Sequence, residues 1–563
     1  ASNFGATNLK KTLIPKFNYR LALSATLERH GDAEGTQALL SYFGKKCIEF
    51  SLDEAIEKKF LTKYEYHPIV VYLTEDELEE YHQLSKELSK CIIMVSRLKF
   101  YLAKLSGKVV TQLSKIGPGG GKNIPGYAFD RVGGHESISE LAKDLKIGSV
   151  LVTGTNGKTT TTTLFIRLMT GDIEFRKSFE NNTIHSIVTA ILNQKGDLGI
   201  FEYGIRNLKY GIPDTVQRLI NPIGVVYTTI SKEHTAVAGV KNPFEDYYKA
   251  KVLLSKGMTR GVVVTNCDDP RTALIGVNKQ KDIKVNYYGL AVDDIVDDDA
   301  NPVECPNCGE TLDYSMRFLS HRGRYSCKCG FKRPEPNVKL TNVEFNNDNW
   351  KLTIVGDVYN YTVSKNVQFE VNLTVPPFGI HNIYNTLSSI TAYATFTPKT
   401  ENIKSKVESV FNNLDMSFIP PGRFEVVRYN DKFIGIGQGD NGDATKINAR
   451  FMSQYVDGPL EFIYTTPDVD EEEIFEDHYE VIKSMNPEHI IVVPGRKSIE
   501  KAKEYYEIIK KDFDCAEFSP LPYDPMDKRI EKLTEFAKES KYNYIIMTGC
   551  GEEQAMWEEI KRN

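Results

Sequence analysis

The sequence predicts an α/β protein with a parallel sheet covered by helices on both faces and a second α/β unit near the C-terminus. Three observations support this fold class. Apolar, strand-like segments alternate with helical ones from residue 148 to about 290, as in sheets built from strand–helix–strand units. The same alternation returns over residues 426–563. A glycine-rich turn separates the first apolar strand from its helix, at the edge where open α/β sheets bind ligands.

Chain length, net charge and the length of the apolar runs predict several domains and disfavour a nucleic-acid-binding or membrane protein. A chain of 563 residues is long enough for three or four domains of roughly 100–200 residues each. The net charge of −6 provides no basic field to attract nucleic acid. The apolar runs fall short of the roughly 18–20 residues of a membrane span, and the N-terminus lacks a signal-peptide pattern. We therefore expect a cytoplasmic protein without a membrane span.

The glycine-rich turn is a candidate phosphate-binding loop. It follows the apolar strand 148–152 and reads T-G-T-N-G-K-T-T from Thr153. Backbone N–H groups and a helix N-terminus face the anion in such loops, and the preceding strand disfavours a merely solvated turn. Lys158 would reach the β- and γ-phosphates, and the Thr159 hydroxyl would be a ligand of Mg²⁺. The residues expected at the nucleotide are Gly154, Thr155, Asn156, Gly157, Lys158, Thr159 and Thr160.

The form of this loop resembles that of the Mur ligases, which form amide bonds at the expense of ATP. The general Walker A pattern differs, because it places a glycine where this chain has Val152. The resemblance covers about residues 108–563 and is greatest for the MurT branch and the archaeal pseudomurein peptide ligases. It implies a P-loop central ATPase domain with a zinc-ribbon insert, followed by a C-terminal Rossmann-like α/β domain.

Two further residues follow predicted strands of the central domain. The resemblance makes Glu202 the carboxylate that helps to hold a second Mg²⁺. It makes His234 the histidine of the family's Asp-His pair at that metal, with Glu233 in place of the usual Asp. Taken singly, an edge carboxylate and a surface histidine would be the simpler interpretation, but both follow the phosphate loop in family order.

Lys251 matches the family lysine that is carbamylated in many members. A carbamate would turn this cation into an anion that can bridge to Mg²⁺. The chemistry requires an unprotonated amine, and therefore a pKa lowered by burial or by nearby cations. The alternative is an ordinary surface lysine, and Lys249 is a nearby competitor. MurT-type proteins often lack this lysine, so its presence favours the peptide-ligase branch.

Three motifs complete the expected nucleotide site. Asn382 and Asn385 match Gly-x-His-Asn-x-x-Asn, whose asparagines lie around the nucleotide in the family; an amide suits adenine because it offers a donor and an acceptor. Asn382 could instead cap a helix. Arg423 matches Pro-Gly-Arg-x-Glu at the hinge into the last domain, where it would touch the γ-phosphate. The segment 266–270 reads Asn-x-Asp-Asp-Pro and supports the family resemblance.

The chain departs from the family pattern in the last domain. Gln438 stands where peptide-adding members have an aspartate, for which Asp440 and Asp443 are candidate substitutes. Cys550 and Glu552 replace the Lys and His of a family turn near the C-terminus. Because this domain selects the incoming amino acid in relatives, the identity of that amino acid does not carry over.

Four of the nine cysteines form two close pairs, which indicates a metal site and not a disulfide framework. The pairs are spaced C-x-x-C and C-x-C, and each is followed by glycine. Four thiolates can hold structural Zn²⁺ in a closed tetrahedral site, which would stabilise the insert without catalysing. The expected ligands are Cys305, Cys308, Cys327 and Cys329.

The N-terminal region has a different character. Residues 23–26 read Leu-Ser-Ala-Thr and resemble a superfamily 2 helicase motif, but the phosphate loop and acidic box of a helicase are absent from this region. We interpret the region as a truncated or fused helicase-like fragment; the alternative is an accessory domain. The expected domains are the helicase-like segment 1–105, a Gly-rich lead-in 106–147, the ATPase domain 148–302 and 333–422, the zinc insert 303–332, and the last domain 423–563.

Together these features predict an ATP-dependent amide ligase. It would act through an acyl phosphate on a cell-wall peptide precursor, with an amino acid or ammonia as the amine. One alternative is the MurT function, amidation of a glutamate with ammonia from a glutaminase partner. Another is a nucleic-acid remodelling protein, which the missing motor motifs and the acidic composition disfavour. The expected catalytic residues are Lys158, Glu202, His234, Lys251 and Arg423.

Overall fold

The computed structural model describes the part of the chain that carries the predicted ligase features. The chain divides into two compact units, Ala1–Lys90 and Cys91–Asn563, and the strands of its described residues all lie in the second. The described residues are 37, 39–42, 83 and 97–551, without 115–121, 180–182, 205–212, 232–241, 298–300, 347–348, 377, 415–423, 470 and 496–497. The helicase-like motif at 23–26 lies outside them. Within these residues, no helix combines the length and apolar character needed to cross a bilayer.

The larger sheet has nine strands. They are β1 Gly148–Thr153, β2 Phe175–Ser178, β3 Leu198–Glu202, β4 Gly224–Tyr227, β5 Val262–Asn266, β6 Lys284–Leu290, β9 Val338–Phe345, β10 Trp350–Asn360 and β11 Lys365–Val375. Their order is β11-β10-β9-β6-β5-β4-β1-β3-β2. All neighbours from β2 to β9 pair in parallel, whereas β9, β10 and β11 form an antiparallel edge. The predicted parallel α/β sheet is confirmed.

Helices cover both faces of this sheet, because its central strands are apolar on both sides. Val150 and Val152 of β1 pack into one buried cluster, and Leu151 packs into the other. The helices are α1 Ile124–Gly133, α2 His135–Ala142, α3 Lys158–Met169, α4 Ile184–Asn193, α5 Pro213–Ile220, α6 Pro243–Lys256, α7 Pro270–Val277, α8 Ile380–Phe396 and α9 Ile403–Asn412.

The second sheet forms the C-terminal α/β domain. Its strands are β12 Glu425–Tyr429, β13 Lys432–Gln438, β14 Leu460–Thr465, β15 His489–Val493, β16 Ala516–Phe518 and β17 Tyr544–Gly549. The order is β12-β13-β17-β14-β15-β16, and only β12 is antiparallel to its neighbour. Its helices are α10 Gly442–Ser453, α11 Glu472–Met485, α12 Ile499–Asp512 and α13 Met526–Glu539.

The cysteine-rich insert is a small hairpin with its own apolar core. Its strands, β7 Asp313–Leu319 and β8 Arg322–Ser326, pair in antiparallel fashion. Tyr325 and Phe331 of the insert pack with Leu274 of α7 in one buried cluster. The insert is therefore seated on the helix that follows the Asn-x-Asp-Asp-Pro segment.

Candidate functional site

The phosphate loop connects β1 to α3, as the sequence predicts. Gly157 has a φ of +82°, and a Cβ at this position would lie 2.2 Å from the side-chain oxygen of Asn385. Only glycine tolerates both constraints. The helix begins directly afterwards at Lys158, whose amine donates to the Thr155 carbonyl at 2.6 Å. The first-turn N–H groups of α3 are thereby directed toward the loop, where they can face a phosphate.

Two oxygen-bearing side chains meet beside this loop. The Thr159 hydroxyl donates to a carboxylate oxygen of Glu202 at 3.0 Å, and Glu202 is only 1% exposed. The parallel pairing of β1 with β3 sets Glu202 opposite Val152, so the carboxylate reaches the loop from the neighbouring strand. Hydroxyl and carboxylate oxygens are suitable ligands for Mg²⁺. The structure therefore places Thr159, the expected Mg²⁺ ligand of the loop, next to Glu202, the carboxylate expected at the second Mg²⁺.

Lys251, not its competitor Lys249, faces the phosphate loop. Its amine is 2.8 Å from the Gly154 carbonyl oxygen and 4.6 Å from the centre of the Tyr247 ring, and the residue is 1% exposed. Lys249 is exposed and pairs with Glu245. Helix α6 thus contacts the phosphate loop through the buried amine of Lys251.

The paired asparagines of the α8 segment lie against the same loop. The Asn385 amide donates to the Asn382 side-chain oxygen at 2.8 Å, and the Asn382 amide donates to the Phe378 carbonyl at 2.6 Å. Thr161 of α3 donates to the Asn385 side-chain oxygen at 3.5 Å. Gly379 has a φ of +84°, which turns the chain into the helix. The hydrogen bonds fix both amides next to the phosphate loop.

The C-terminal domain also reaches the loop. Asn441 caps α10 by accepting the Ala444 N–H at 2.9 Å, and its amide exchanges hydrogen bonds with the amide of Asn156. A crevice lies between α10 and the start of α8. Its lining residues are Leu319, Gly379, Ile380, His381, Ile447, Arg450, Phe451 and Gln454.

Two expected site residues lie outside the described residues. His234 falls in 232–241 and Arg423 falls in 415–423. Gln438 ends β13 beside Gly549, whereas Asp443 is buried next to Arg322 of the insert. Asp443 is thus engaged with the insert.

Asp269 contacts the segment that is hydrogen-bonded to the phosphate loop, although the sequence alone assigned this residue no role. Its carboxylate accepts the Ile230 N–H at 2.7 Å and the Thr229 hydroxyl at 2.9 Å, and it lies 3.2 Å from the His321 imidazole. Burial by itself raises the pKa of Asp269, but His321 and the hydrogen bonds outweigh it and hold the pKa well below its usual value. The Thr229 carbonyl in turn accepts the Thr155 N–H of the phosphate loop.

The four cysteines converge as expected for a metal site. Their sulfur atoms all lie within 4.8 Å of one another, with Cys305–Cys329 at 3.8 Å and Cys308–Cys327 at 3.5 Å. Tetrahedral zinc with Zn–S bonds of about 2.3 Å requires sulfur separations of about 3.8 Å. A hydrogen bond from Asn307 is the main cause that lowers the pKa of Cys329 to about 6. The cluster could therefore bind zinc.

Comparison with known proteins gives sequence and structural relatives. Residues 152–306 match the family described as the Mur ligase middle domain. The chain is 25% identical over 291 residues to the MurT subunit of the lipid II isoglutaminyl synthase (glutamine-hydrolyzing) of Staphylococcus aureus (strain COL). That match covers 48% of this chain and 62% of the relative, so the chain spans about three fifths of the relative's length.

Two solved structures have a similar fold. A pseudomurein peptide ligase type C from Methanothermus fervidus gives a TM-score of 0.54 at 24% identity, over 76% of this chain and 80% of that one. A MurF from Acinetobacter baumannii gives a TM-score of 0.50 at 12% identity, over 78% and 80% of the two chains.

The family match coincides with the site built above. It begins at the end of β1, before the phosphate loop, and runs through Glu202 and Lys251 to just past Cys305, the first cysteine of the insert. The structural likenesses cover about three quarters of the chain, far more than the family match. Residues 152–306 are therefore similar to a Mur ligase middle domain, and the fold is similar to that of the two ligase structures.

Proposed function

We propose that the chain is an ATP-dependent ligase that joins a carboxylate of a cell-wall peptide precursor to an amine. One observation carries this proposal: the Lys158 loop, the buried Thr159–Glu202 pair and the N-terminus of α10 meet at the carboxyl edge of the central sheet. This edge is where open α/β sheets bind ligands. Closure of the last domain over the phosphate loop would assemble the site for both substrates.

The proposed reaction has two steps. A substrate carboxylate attacks the γ-phosphorus of ATP, ADP leaves, and an acyl phosphate forms. The amine then attacks the acyl carbon, the C–O bond to phosphate breaks, and the amine loses a proton as the amide forms. Lys158 and the α3 N-terminus would stabilise the charge on the transferred phosphoryl group. We assign Arg423 to the same phosphoryl group.

The metal and lysine assignments follow the same geometry. We assign Thr159, Glu202 and His234 to Mg²⁺, which when bound would neutralise charge on the phosphates. The buried carboxylate beside a loop hydroxyl supports this choice. Lys251 is assigned to carbamylation, in which the neutral amine adds to carbon dioxide and loses a proton. Its place 2.8 Å from the Gly154 carbonyl supports a role at the loop in either form.

We assign Asn382 and Asn385 to the nucleotide. Their amides are held beside the phosphate loop by hydrogen bonds to each other, to the Phe378 carbonyl and to Thr161. An amide offers adenine a donor and an acceptor together. Zinc is assigned to the four-cysteine cluster as a structural ion.

The MurT function is the second candidate. The sequence likeness to a MurT subunit favours it, and that relative belongs to a glutamine-hydrolysing synthase by its name. In this alternative the amine is ammonia delivered by a glutaminase partner. Lys251 favours the amino-acid ligase, because MurT-type proteins often lack this lysine.

The test is ligation with the purified full-length chain. ATP, Mg²⁺ and a cell-wall peptide precursor are combined with lysine, alanine or glutamate, or with ammonia and a glutaminase, and ADP and product mass are measured. We expect ADP release that requires both precursor and amine, with one new amide per ADP. An amino-acid product supports the first candidate, and an amidated precursor supports the second. ATP hydrolysis stimulated by DNA alone would contradict both.

A further inference from the structure

The insert is anchored to the Asn-x-Asp-Asp-Pro segment of the central domain. The Gly323 N–H donates to the Asp268 carbonyl at 2.9 Å, and the Tyr325 hydroxyl donates to the Cys267 carbonyl at 2.9 Å. Arg333 forms an ion pair with the Asp268 carboxylate at 2.6 Å, and that carboxylate is fully buried. Two contacts from β8 and one from Arg333, which follows the second cysteine pair, thus fix the insert on the loop that follows β5.

The turn of this hairpin is directed toward the C-terminal domain. Ser320 has a φ of +54°, and its N–H donates to the Asp297 carboxylate at 2.6 Å. The same carboxylate receives both terminal nitrogens of Arg450 from α10, at 2.9 and 3.1 Å. A two-pronged guanidinium–carboxylate pair fixes orientation as well as distance. Asp297 therefore joins the turn to α10.

A second ion pair lies deeper in the same interface. Arg322 is 3% exposed and lies 3.5 Å from the carboxylate of Asp443, in the first turn of α10. Its guanidinium also lies 5.4 Å from the centre of the Tyr384 ring of α8. Breaking a buried pair is costly, because it leaves one charge in a site without water. The pair thus favours one position of α10 against the insert.

The turn also contacts residues that hold the phosphate loop in place. His321 lies 3.2 Å from the Asp269 carboxylate, which holds the Ile230 N–H at the end of β4. The neighbouring Thr229 carbonyl accepts the Thr155 N–H of the loop at 2.6 Å. The hairpin turn therefore contacts the segment after β4 that is hydrogen-bonded to the phosphate loop. It also contacts α10, the helix of the last domain whose N-terminus lies at that loop.

We propose that the insert turn 319–322 is a docking element that sets the closed position of the last domain over the phosphate loop. Asp297, Arg322 and Arg450 act as positioning residues. This inference rests on the proposed ligase function for its catalytic consequence only. The docking of the last domain on the insert turn does not depend on that function.

The test compares two arginines of similar exposure. Arg450 is 37% exposed and joins α10 to Asp297, whereas Arg324 is 34% exposed and pairs with Asp293 beside the insert. The variants are Arg450→Glu, Arg450→Lys and the control Arg324→Glu, each checked for zinc content. Small-angle X-ray scattering with Mg²⁺ and a non-hydrolysable ATP analogue reports closure, and steady-state kinetics separate KM for the amine from kcat.

We expect Arg450→Glu to scatter as a more extended particle and to lose about 10-fold in kcat/KM for the amine, a typical coupling between sites. Arg450→Lys should fall between this variant and the wild type, since lysine keeps the charge without the fork. Arg324→Glu should resemble the wild type. A compact Arg450→Glu variant, or equal loss in Arg324→Glu, would overturn the docking role. If the wild type ligates nothing, the scattering comparison still decides it, so the two failures are distinguishable.

Discussion

Asn156 of the phosphate loop and Asn441 of α10 exchange two side-chain hydrogen bonds, with nitrogen–oxygen distances of 3.3 and 3.4 Å. The same Asn441 oxygen accepts the Ala444 N–H and so caps the helix. One side chain therefore links the helix N-terminus of the last domain to the nucleotide loop of the central domain. A phosphate at this loop would lie beside both domains.

The first prediction separates the two roles of Asn441. Asn441→Ser keeps a helix cap but is too short to reach Asn156, whereas Asn441→Ala removes both interactions. We expect both variants to lower the rate of ligation, and only the alanine variant to lose about 1 kcal/mol of stability. Ligation kinetics and thermal unfolding measure the two effects. Full activity in Asn441→Ser would show that the link to Asn156 is dispensable.

The second prediction concerns the Thr159–Glu202 pair. Glu202→Gln removes one negative charge and leaves the shape of the side chain, so its affinity for Mg²⁺ should fall. We expect about 10-fold more Mg²⁺ for half-maximal ADP release, in line with a lost ligand contact of about 1.4 kcal/mol. The control is Glu245→Gln, an exposed carboxylate that pairs with Lys249. An unchanged Mg²⁺ requirement in Glu202→Gln would rule out the assignment.

The third prediction concerns the cysteine cluster. Cys308→Ser should lower zinc content from one ion per chain toward zero and should weaken the fold of the insert, because metal binding contributes to folding free energy. Metal analysis and hydrogen exchange over residues 303–332 measure both. Cys515→Ser is the matched control, since Cys515 is free and does not belong to the cluster. Zinc retained in Cys308→Ser, or no zinc in the wild type, would contradict a four-sulfur site.

The fourth prediction follows from the low pKa of Asp269. Burial raises the pKa of Asp269, but the charge and hydrogen bond of His321, the Ile230 N–H and the charge of Arg271 lower it by more. The unfolded chain therefore binds the proton more tightly. The stabilisation is complete above the unfolded pKa of about 3.9 and is lost as the pH falls toward the folded pKa. We expect Asp269→Asn to unfold at lower temperature at pH 7, with the difference from wild type shrinking between about pH 5 and 3. A constant difference across this range would contradict an ionised Asp269.

The phosphate loop and the parallel sheet were predictable from sequence, because both are local signals. A strand, a glycine turn and a helix stand next to one another in the chain, and strand alternation needs no distant partner. The cysteine cluster was predictable for a similar reason, since each close pair forms one turn. These predictions used spacing alone, and the described geometry agrees with them at Gly157 and at the four sulfur atoms.

The local part of the role of Asp269 is to cap α7, where it accepts the Arg271 and Thr272 N–H groups. Its other role was not predictable, because those partners come from the segment after β4 and from the insert. The Asn-x-Asp-Asp-Pro segment reads as a family signature, yet the contact with His321 depends on how a distant hairpin folds back. Asp443 shows the same limit. The sequence made Asp443 a candidate substitute for the family aspartate at Gln438, but it did not indicate that tertiary packing buries Asp443 against Arg322. Burial and charge pairing between distant segments appear only in the folded chain.

The most direct test of the account is a coupled measurement of ADP and amide product for the wild type and Lys158→Met, with Lys249→Met as the surface control. We predict that ADP forms only when ATP, a peptide precursor with a free carboxylate and an amine are all present, with one amide per ADP. Lys158→Met should reduce this rate by about 10²–10³-fold, the typical cost of removing one group that stabilises transition-state charge. ADP formation without an amide product, or full activity in Lys158→Met, would contradict the central claim.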